Sequence, residues 1–422
     1  MRLAALAVAA ASIAACTSAR AERSSDSLRT PPPETTHPTT SDAPDTTVAD
    51  TSSPETSAPD TSAPDTTTPD TSAPDTTTPD TSAPDTTAPN TTSPNTSPDT
   101  TTPDGGSPST DDPGVAPPLP ALDASFDRLA VGNAAASLTV IRDHVEIYGR
   151  ASGATTGGTP MTPDSPLVLA SVSKLVTALT VARLAEDHGI DVAAPVPWDQ
   201  LFIAHDPAWN DVTVRELLDH TGGMPKAQAS WLNQPGSCAV PLGAAIARPP
   251  TGTRGKWSYS NGNYCALGLL IESVTGQSQA HAADDLVFGP IGVTGPHLTT
   301  DGLLPGDGPY VQGVVRLDRL GGAGTWLAST HDMAAMLDSV TPADLETLRY
   351  PGIITDQYGW GHTGTVDGAK ACAWVMDGAR TVVVAIVSGN RPATGGKVCD
   401  AVIPSLAADL GIWAGEPIRV PV

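Results

Sequence analysis

Ser171 and Lys174 lie three residues apart in Ser171-Val172-Ser173-Lys174, a spacing that puts both side chains on one helix face. A hydroxyl with a nitrogen one turn above it is the arrangement an activated nucleophile requires, because the amine can take the hydroxyl proton. Tyr259-Ser260-Asn261 follows, with Tyr259 and Asn261 two apart, so on an extended segment both project to one side. The phenol of Tyr259 can relay a proton between Ser171, Lys174 and a leaving group. The amide of Asn261 can hold a carbonyl and brace Lys174. His362-Thr363-Gly364 comes last, ahead of an apolar strand-like run. Each group alone has an ordinary structural reading, such as an N-cap serine or a solvated lysine. Their fixed order is what carries weight.

The elements that must position them are legible in outline. Ala136–Tyr148 reads as two strands around the polar turn Arg142-Asp143-His144. Val172–His188 has helical periodicity through Leu175, Leu179, Val181 and Leu184. Val214–Leu218 starts another helix, and Asn263–Thr275 a third, stopped by Gly276. Ala371–Met376 and Thr381–Ser388 read as adjacent strands joined at Asp377-Gly378, with Ala401–Leu410 a closing helix. Strands at both ends and helices between them predict one sheet built from both termini with a helical insert.

The chain has 422 residues and a formal net charge of −24. Residues 31–113 hold fifteen Asp or Glu and no Lys or Arg, so the rest carries only −9 (−24 less −15). No basic face is left for nucleic acid. Residues 1–16 read as an export leader, with Arg2 before the apolar run Leu3–Ala15, which is too short to span a bilayer. Ile13-Ala14-Ala15-Cys16 resembles a bacterial lipobox, which predicts a lipid anchor to the membrane at Cys16. The competing reading is cleavage after Ala19-Arg20-Ala21 and release.

Residues 17–119 are expected to be a disordered linker rich in Thr, Pro and Asp. Proline recurs every five residues from Pro54 to Pro94, and almost no apolar surface is present to offset the entropy of ordering. At ~3 Å per residue, an extended stalk of this kind reaches ~200 Å or more, enough to cross a cell wall. Residues 120–422 are long enough for one large core. Cys238, Cys265, Cys372 and Cys399 allow three pairings, of which Cys238–Cys265 with Cys372–Cys399 closes loops of moderate length. Four reduced, buried thiols are the alternative. No zinc-type cysteine spacing, His-Glu-x-x-His, Walker loop or Gly-x-Ser-x-Gly elbow is present, so neither metal nor cofactor is expected.

The ordered set Ser171-x-x-Lys174, Tyr259-x-Asn261 and His362-Thr363-Gly364 resembles the signature of the serine beta-lactamase and penicillin-binding protein superfamily. The likeness covers about residues 125–415. It is nearer to class C beta-lactamases and D-alanyl-D-alanine carboxypeptidases, since no Glu-x-x-Leu-Asn segment is found. It implies an α/β (α+β) fold: an antiparallel sheet flanked by helices plus an all-helical lobe, with the active site between them. It also implies Ser171 as nucleophile, Lys174 and Tyr259 as its proton-transfer partners, and Asn261, His362, Thr363 and Gly364 as the substrate-binding set. The backbone N–H groups of Ser171 and Thr365 would be the oxyanion donors. Leu218-Asp219-His220-Thr221-Gly222-Gly223-Met224-Pro225 resembles a segment that shapes the site floor, a structural role. Histidine at 362, where lysine is commoner, weakens the fixed positive charge there near pH 7. Trp257 and Trp360 are candidates for the pocket mouth or the core.

The function so implied is acyl-enzyme hydrolysis, foremost of a peptidoglycan peptide in the manner of a D-alanyl-D-alanine carboxypeptidase. A beta-lactam or a small ester is the alternative substrate. A non-catalytic binding or sensor domain of the same fold is a reading of a different class.

Overall fold

The computed structural model describes residues 117–187, 190–226, 237–310, 316–348 and 353–413. The leader, Cys16 and almost all of the stalk lie outside the described residues.

In chain order the principal elements are α1 (Pro120–Ala130), β1 (Ala135–Arg142), β2 (Val145–Gly153), β3 (Leu167–Val168), α2 (Ser173–Asp187), α3 (Val214–Leu218), α4 (Ala239–Ile246) and α5 (Asn261–Thr275). They continue as α6 (Gln279–Ala283), β4 (His297–Leu298), β5 (Trp326–Ala328), α7 (Thr330–Asp338), α8 (Pro342–Leu348), β6 (Ile354–Thr355), β7 (Gly359–Val366), β8 (Ala369–Met376), β9 (Thr381–Ser388) and α9 (Gly395–Leu410).

Six strands form one antiparallel sheet in the order β2-β1-β9-β8-β7-β6. The first two strands come from the start of the folded region and the others from its end, as the strand pattern predicts. Asp143 and His144 take positive φ (50° and 65°), the backbone twist a tight hairpin demands. Asp377 and Gly378 make the same kind of turn between β8 and β9.

Every residue of β8 and β9 is buried, because both sheet faces are covered. Alternation along β8 sends Cys372, Trp374 and Met376 toward α1 and α9, where Leu122, Phe126, Val402 and Leu406 pack. Ala369, Ala371, Ala373 and Val375 face the other way, into the core shared with the helical lobe. At the centre of that lobe is α2, buried on nearly all sides through Leu175, Val176, Leu179, Val181 and Leu184.

Two boundaries differ from the sequence reading. Helix α9 begins at Gly395, six residues before Ala401, because the Thr394 side chain accepts from Lys397 N and caps it. Helix α5 begins at Asn261 rather than Asn263, with Ser260 as N-cap accepting from Gly262 N. Asn261 therefore heads a helix instead of extending a strand-like segment. Helix α1, starting at Pro120, was not anticipated, although Leu122, Phe126 and Leu129 recur at helical spacing and are buried. The neighbour pairing of cysteines is the one observed, Cys238–Cys265 and Cys372–Cys399. The first ties the start of α4 to α5, and the second ties β8 to α9.

Candidate active site

Ser171 sits in a single 3-10 turn, Ala170–Val172, that runs into α2. The residue before it, Ala170, has φ +49°, a left-handed conformation that a side chain rarely adopts and that surrounding structure must enforce. The enforcement comes from β7. A methyl group on Gly364 would collide with the Leu169 carbonyl oxygen and lie 3.2 Å from the Ala170 and Ala371 β-carbons. Only glycine lets this strand close onto the serine turn. Among the described residues, the outer edge of β7 is paired only at Gly361 and Trp360, by β6. His362, Thr363 and Thr365 line a cavity of about 320 Å³ with Ser171, Trp257, Tyr259 and Ile354.

Lys174 is 1% exposed. Its Nζ lies 3.2 Å from Ser171 Oγ, 2.9 Å from Asn261 Oδ1 and 2.7 Å from the Ala323 carbonyl oxygen. Asn261 Oδ1 and Ala323 O only accept, so they occupy two N–H bonds whatever the charge of the amine. The remaining position points at Ser171, where a neutral amine accepts the hydroxyl proton and an ammonium returns one. Burial pulls the Lys174 pKa below its ordinary 10.5, opposed by the nearby Tyr259 phenol. The Tyr259 hydroxyl donates to Ser171 Oγ at 2.8 Å. Ser171, Lys174, Tyr259 and Asn261 are thus brought into one hydrogen-bonded cluster, and His362, Thr363 and Thr365 stand across the cavity from it.

The segment around His220 holds the Tyr259 loop. His220 takes φ +59°; its carbonyl accepts from Ser258 N at 2.8 Å, and its Nδ1 accepts from Asn263 Nδ2 at 2.7 Å. Its ring lies 4.7 Å from that of Tyr259. Burial, with the Lys174 charge adding to it, lowers the His220 pKa to about 2, so the imidazole is neutral. This is the structural role that the segment's resemblance implied.

His362 is also neutral: burial, then the Lys174 charge, lowers its pKa to about 3. Its Nδ1 stands 2.7 Å from the Thr363 carbonyl oxygen, which can only accept. Nδ1 therefore carries the single proton and Nε2 a lone pair. The sequence reading expected a donor toward substrate here; in the neutral ring the one N–H is engaged by the Thr363 carbonyl. Thr365 Oγ1 accepts from Gly395 N at 2.8 Å, joining β7 to the α9 N-terminus. Trp257 is 57% exposed at the pocket mouth, whereas Trp360 packs against the core. Two participants escaped sequence reading. Ala323 contributes only a backbone carbonyl, and Ile354 is an apolar wall with no motif around it. Among the described residues, no cluster of His, Cys, Asp or Glu could hold a metal ion.

The profile of the family described as Beta-lactamase matches residues 122–408, most of the chain. The chain belongs to the beta-lactamase family. Esterase EstB of Burkholderia gladioli is 32% identical over 198 residues, 41% of this chain and 49% of the esterase. Teichoic acid D-alanine hydrolase of Staphylococcus aureus is 30% identical over 127 residues, 29% of this chain and 30% of that protein. The matched region thus spans about half, or less, of these curated relatives.

Among solved structures, the D-amino acid amidase of Ochrobactrum anthropi SV3 gives a TM-score of 0.57 at 18% identity, covering 69% of this chain and 98% of the amidase. A penicillin-binding protein homologue from Pyrococcus abyssi gives 0.58 at 20% identity, covering 71% and 78%. At these identities the likeness establishes the fold alone: an antiparallel sheet flanked by helices beside a helical lobe.

Proposed function

We propose that the chain is a serine hydrolase that cleaves ester or amide carbonyls through an acyl-enzyme on Ser171. The observation that carries this reading is the buried Lys174 amine and the Tyr259 phenol converging on one serine oxygen, at 3.2 Å and 2.8 Å. Neutral Lys174 takes the Ser171 proton as the oxygen attacks the carbonyl carbon. The family resemblance supports the backbone N–H groups of Ser171 and Thr365 as the donors that hold the oxyanion. The carbon–heteroatom bond breaks, and Tyr259, replenished from Lys174, protonates the departing group. Water then attacks the ester on Ser171, its proton passing to the same pair, and the acid leaves with the serine restored.

The substrate choice lies among a small ester or amide, a D-alanyl-D-alanine peptide and a beta-lactam. The pocket mouth is formed by Trp257 and Ile354, both apolar and well exposed, at 57% and 42%. Walls of this kind suit an uncharged acyl donor. The names of the relatives, an esterase, a D-alanine hydrolase and a D-amino acid amidase, support the same choice. We therefore rank an ester or amide hydrolase first and the carboxypeptidase-like role in peptidoglycan processing second.

We further propose that the enzyme works outside the cytoplasm, tethered through Cys16. The leader sequence and the need of two disulfides for an oxidising compartment support this. Cys16→Ala should release the protein from the membrane fraction; unchanged fractionation would exclude the tether.

The test of the activity is direct. A fluorophosphonate should add one adduct mass at Ser171, and nitrophenyl ester hydrolysis should vanish together with labelling in Ser171→Ala. A stable adduct with a fluorescent penicillin would favour the peptidase-like role, and fast turnover of the penicillin the lactamase. Absence of every reaction would favour a non-catalytic domain.

A further inference from the structure

On the hydrolase reading above, with the Thr365 N–H as an oxyanion donor, we infer that Lys370 is a positioning residue for that donor: its buried ammonium clamps the exit of β7 and so fixes where the Thr365 backbone stands. Lys370 lies directly across from Thr365 in the β7–β8 ladder, so the two side chains emerge on the same face of the sheet. The Thr365 side chain is held there, its Oγ1 accepting from Gly395 N at 2.8 Å. Lys370 holds the next residue. Its Nζ donates to the Val366 carbonyl oxygen at 2.5 Å, to Asn390 Oδ1 at 2.8 Å and to the Gly389 carbonyl oxygen at 3.4 Å.

Lys370 is 3% exposed, and the three oxygens around its amine can only accept, which is the setting of an ammonium with all three N–H bonds spent. Its counter-charge is reached through Asn390, whose Nδ2 donates to Asp367 Oδ1 at 2.6 Å while its Oδ1 faces the amine. Gly368 N donates to the same Oδ1 at 2.9 Å, and Gly389 N to the Gly368 carbonyl oxygen at 2.7 Å. Burying a cation is costly, and an apolar side chain of equal length would fill the space at less cost. What the ammonium adds is direction: its three bonds tie the end of β7 to the 389–390 loop that follows β9. Thr365 needs such an anchor. Among the described residues it has a strand neighbour on the β8 side alone, since β6 pairs only with Trp360 and Gly361. An oxyanion donor works only where it is held in advance of the reaction.

The experiment uses the full chain and two variants. Lys370→Met keeps the length of the side chain and removes its charge and donors. Asn390→Ala removes one acceptor at an exposed loop position and leaves the lysine in place. For a nitrophenyl ester, Lys370→Met should lower kcat about tenfold or more, short of the ~10²–10³ lost when an oxyanion donor is removed outright. KM should stay within about twofold, because the loss falls on the transition state. Phenylboronic acid, which takes the Ser171 oxygen onto boron and puts an anionic oxygen where the oxyanion forms, should bind more weakly by the same factor as kcat falls. Asn390→Ala should move both quantities the same way, by about threefold. A loss of stability alone would not tie boronate affinity to kcat while sparing KM. Wild-type kcat and boronate affinity in a folded Lys370→Met would overturn the inference, as would a kcat loss that boronate binding does not follow. If Lys370→Met does not fold, Asn390→Ala decides by itself, and unchanged values of both quantities overturn the inference. If the wild type cleaves no ester and the fluorophosphonate leaves Ser171 unlabelled, the hydrolase reading itself falls, and this inference with it.

Discussion

Lys174 Nζ and the Ala323 carbonyl oxygen are 2.7 Å apart, and with Asn261 Oδ1 at 2.9 Å they leave one amine position for Ser171. The amine is held by two acceptors that cannot change state, so proton exchange is confined to the serine. Removing either end of that exchange should be severe. Ser171→Ala and Lys174→Ala should each lower kcat/KM for a nitrophenyl ester at least about a thousandfold. Tyr259→Phe, which keeps the ring but not the relay, should cost about a hundredfold or more. Steady-state kinetics on folded variants, verified by circular dichroism, checks this; a Lys174→Ala enzyme at near-normal rate would remove Lys174 from the chemistry.

The pH profile follows from which groups titrate. Lys174 works deprotonated, and its pKa lies below the usual 10.5 because of burial. The rate should therefore fall as pH drops through that lowered value and level off above it. His220 and His362, held to about 2 and about 3, should add no inflection between pH 5 and 8. A histidine-like limb near pH 6.5 that disappears in His362→Gln would contradict the neutral ring.

The same two histidines shape acid stability. Each is neutral in the folded protein and titrates near 6.5 once unfolded, so below 6.5 the unfolded chain binds more protons. Stability is complete above pH 6.5 and declines as pH falls, by about 1.4 kcal/mol per histidine per pH unit at most. Denaturant midpoints at pH 7 and pH 5 measure it. In His362→Gln the drop between those two values should shrink; an identical drop would show that other groups dominate.

Gly364 is a steric prediction. Alanine there must displace the Leu169 carbonyl and Ala170, costing about 1–3 kcal/mol by overpacking. Because Ser171 is the next residue in that turn, kcat should fall further than stability explains, by about a hundredfold for a shift near 1 Å. Gly306→Ala is the control, since a β-carbon there meets nothing within 4 Å. A Gly364→Ala enzyme with normal kcat would mean that β7 does not set the serine turn.

The disulfide Cys238–Cys265 packs close to both supports of Lys174. Cys265 lies one helical turn after Asn261 on α5, and Cys238 packs beside Gly321, two residues before Ala323. Replacing both cysteines by alanine should lower stability by about 2–4 kcal/mol. It should also reduce kcat, because the packing beside both of the amine's acceptors is loosened. Unfolding curves and kinetics of the double variant test the two effects separately.

Much of this protein is written locally. The Ser171–Lys174 spacing specifies a shared helix face, the short apolar runs of β8 and β9 specify strands, and Asp143-His144 and Asp377-Gly378 specify their turns. These are properties of a few adjacent residues, so they can be read without the fold. Cysteine count limited the pairings, but only packing of α4 against α5 and of β8 against α9 selected one. The start of α9 at Gly395 depended on the Thr394 cap, and the place of Asn261 at the head of α5 on the Ser260 cap. Ala323 could not be anticipated, because a backbone carbonyl has no side-chain signature and gains its role only where the chain returns beside Lys174. The protonation pattern of His362 is likewise a tertiary outcome: burial removes its charge, and a neighbouring carbonyl decides which nitrogen keeps the proton.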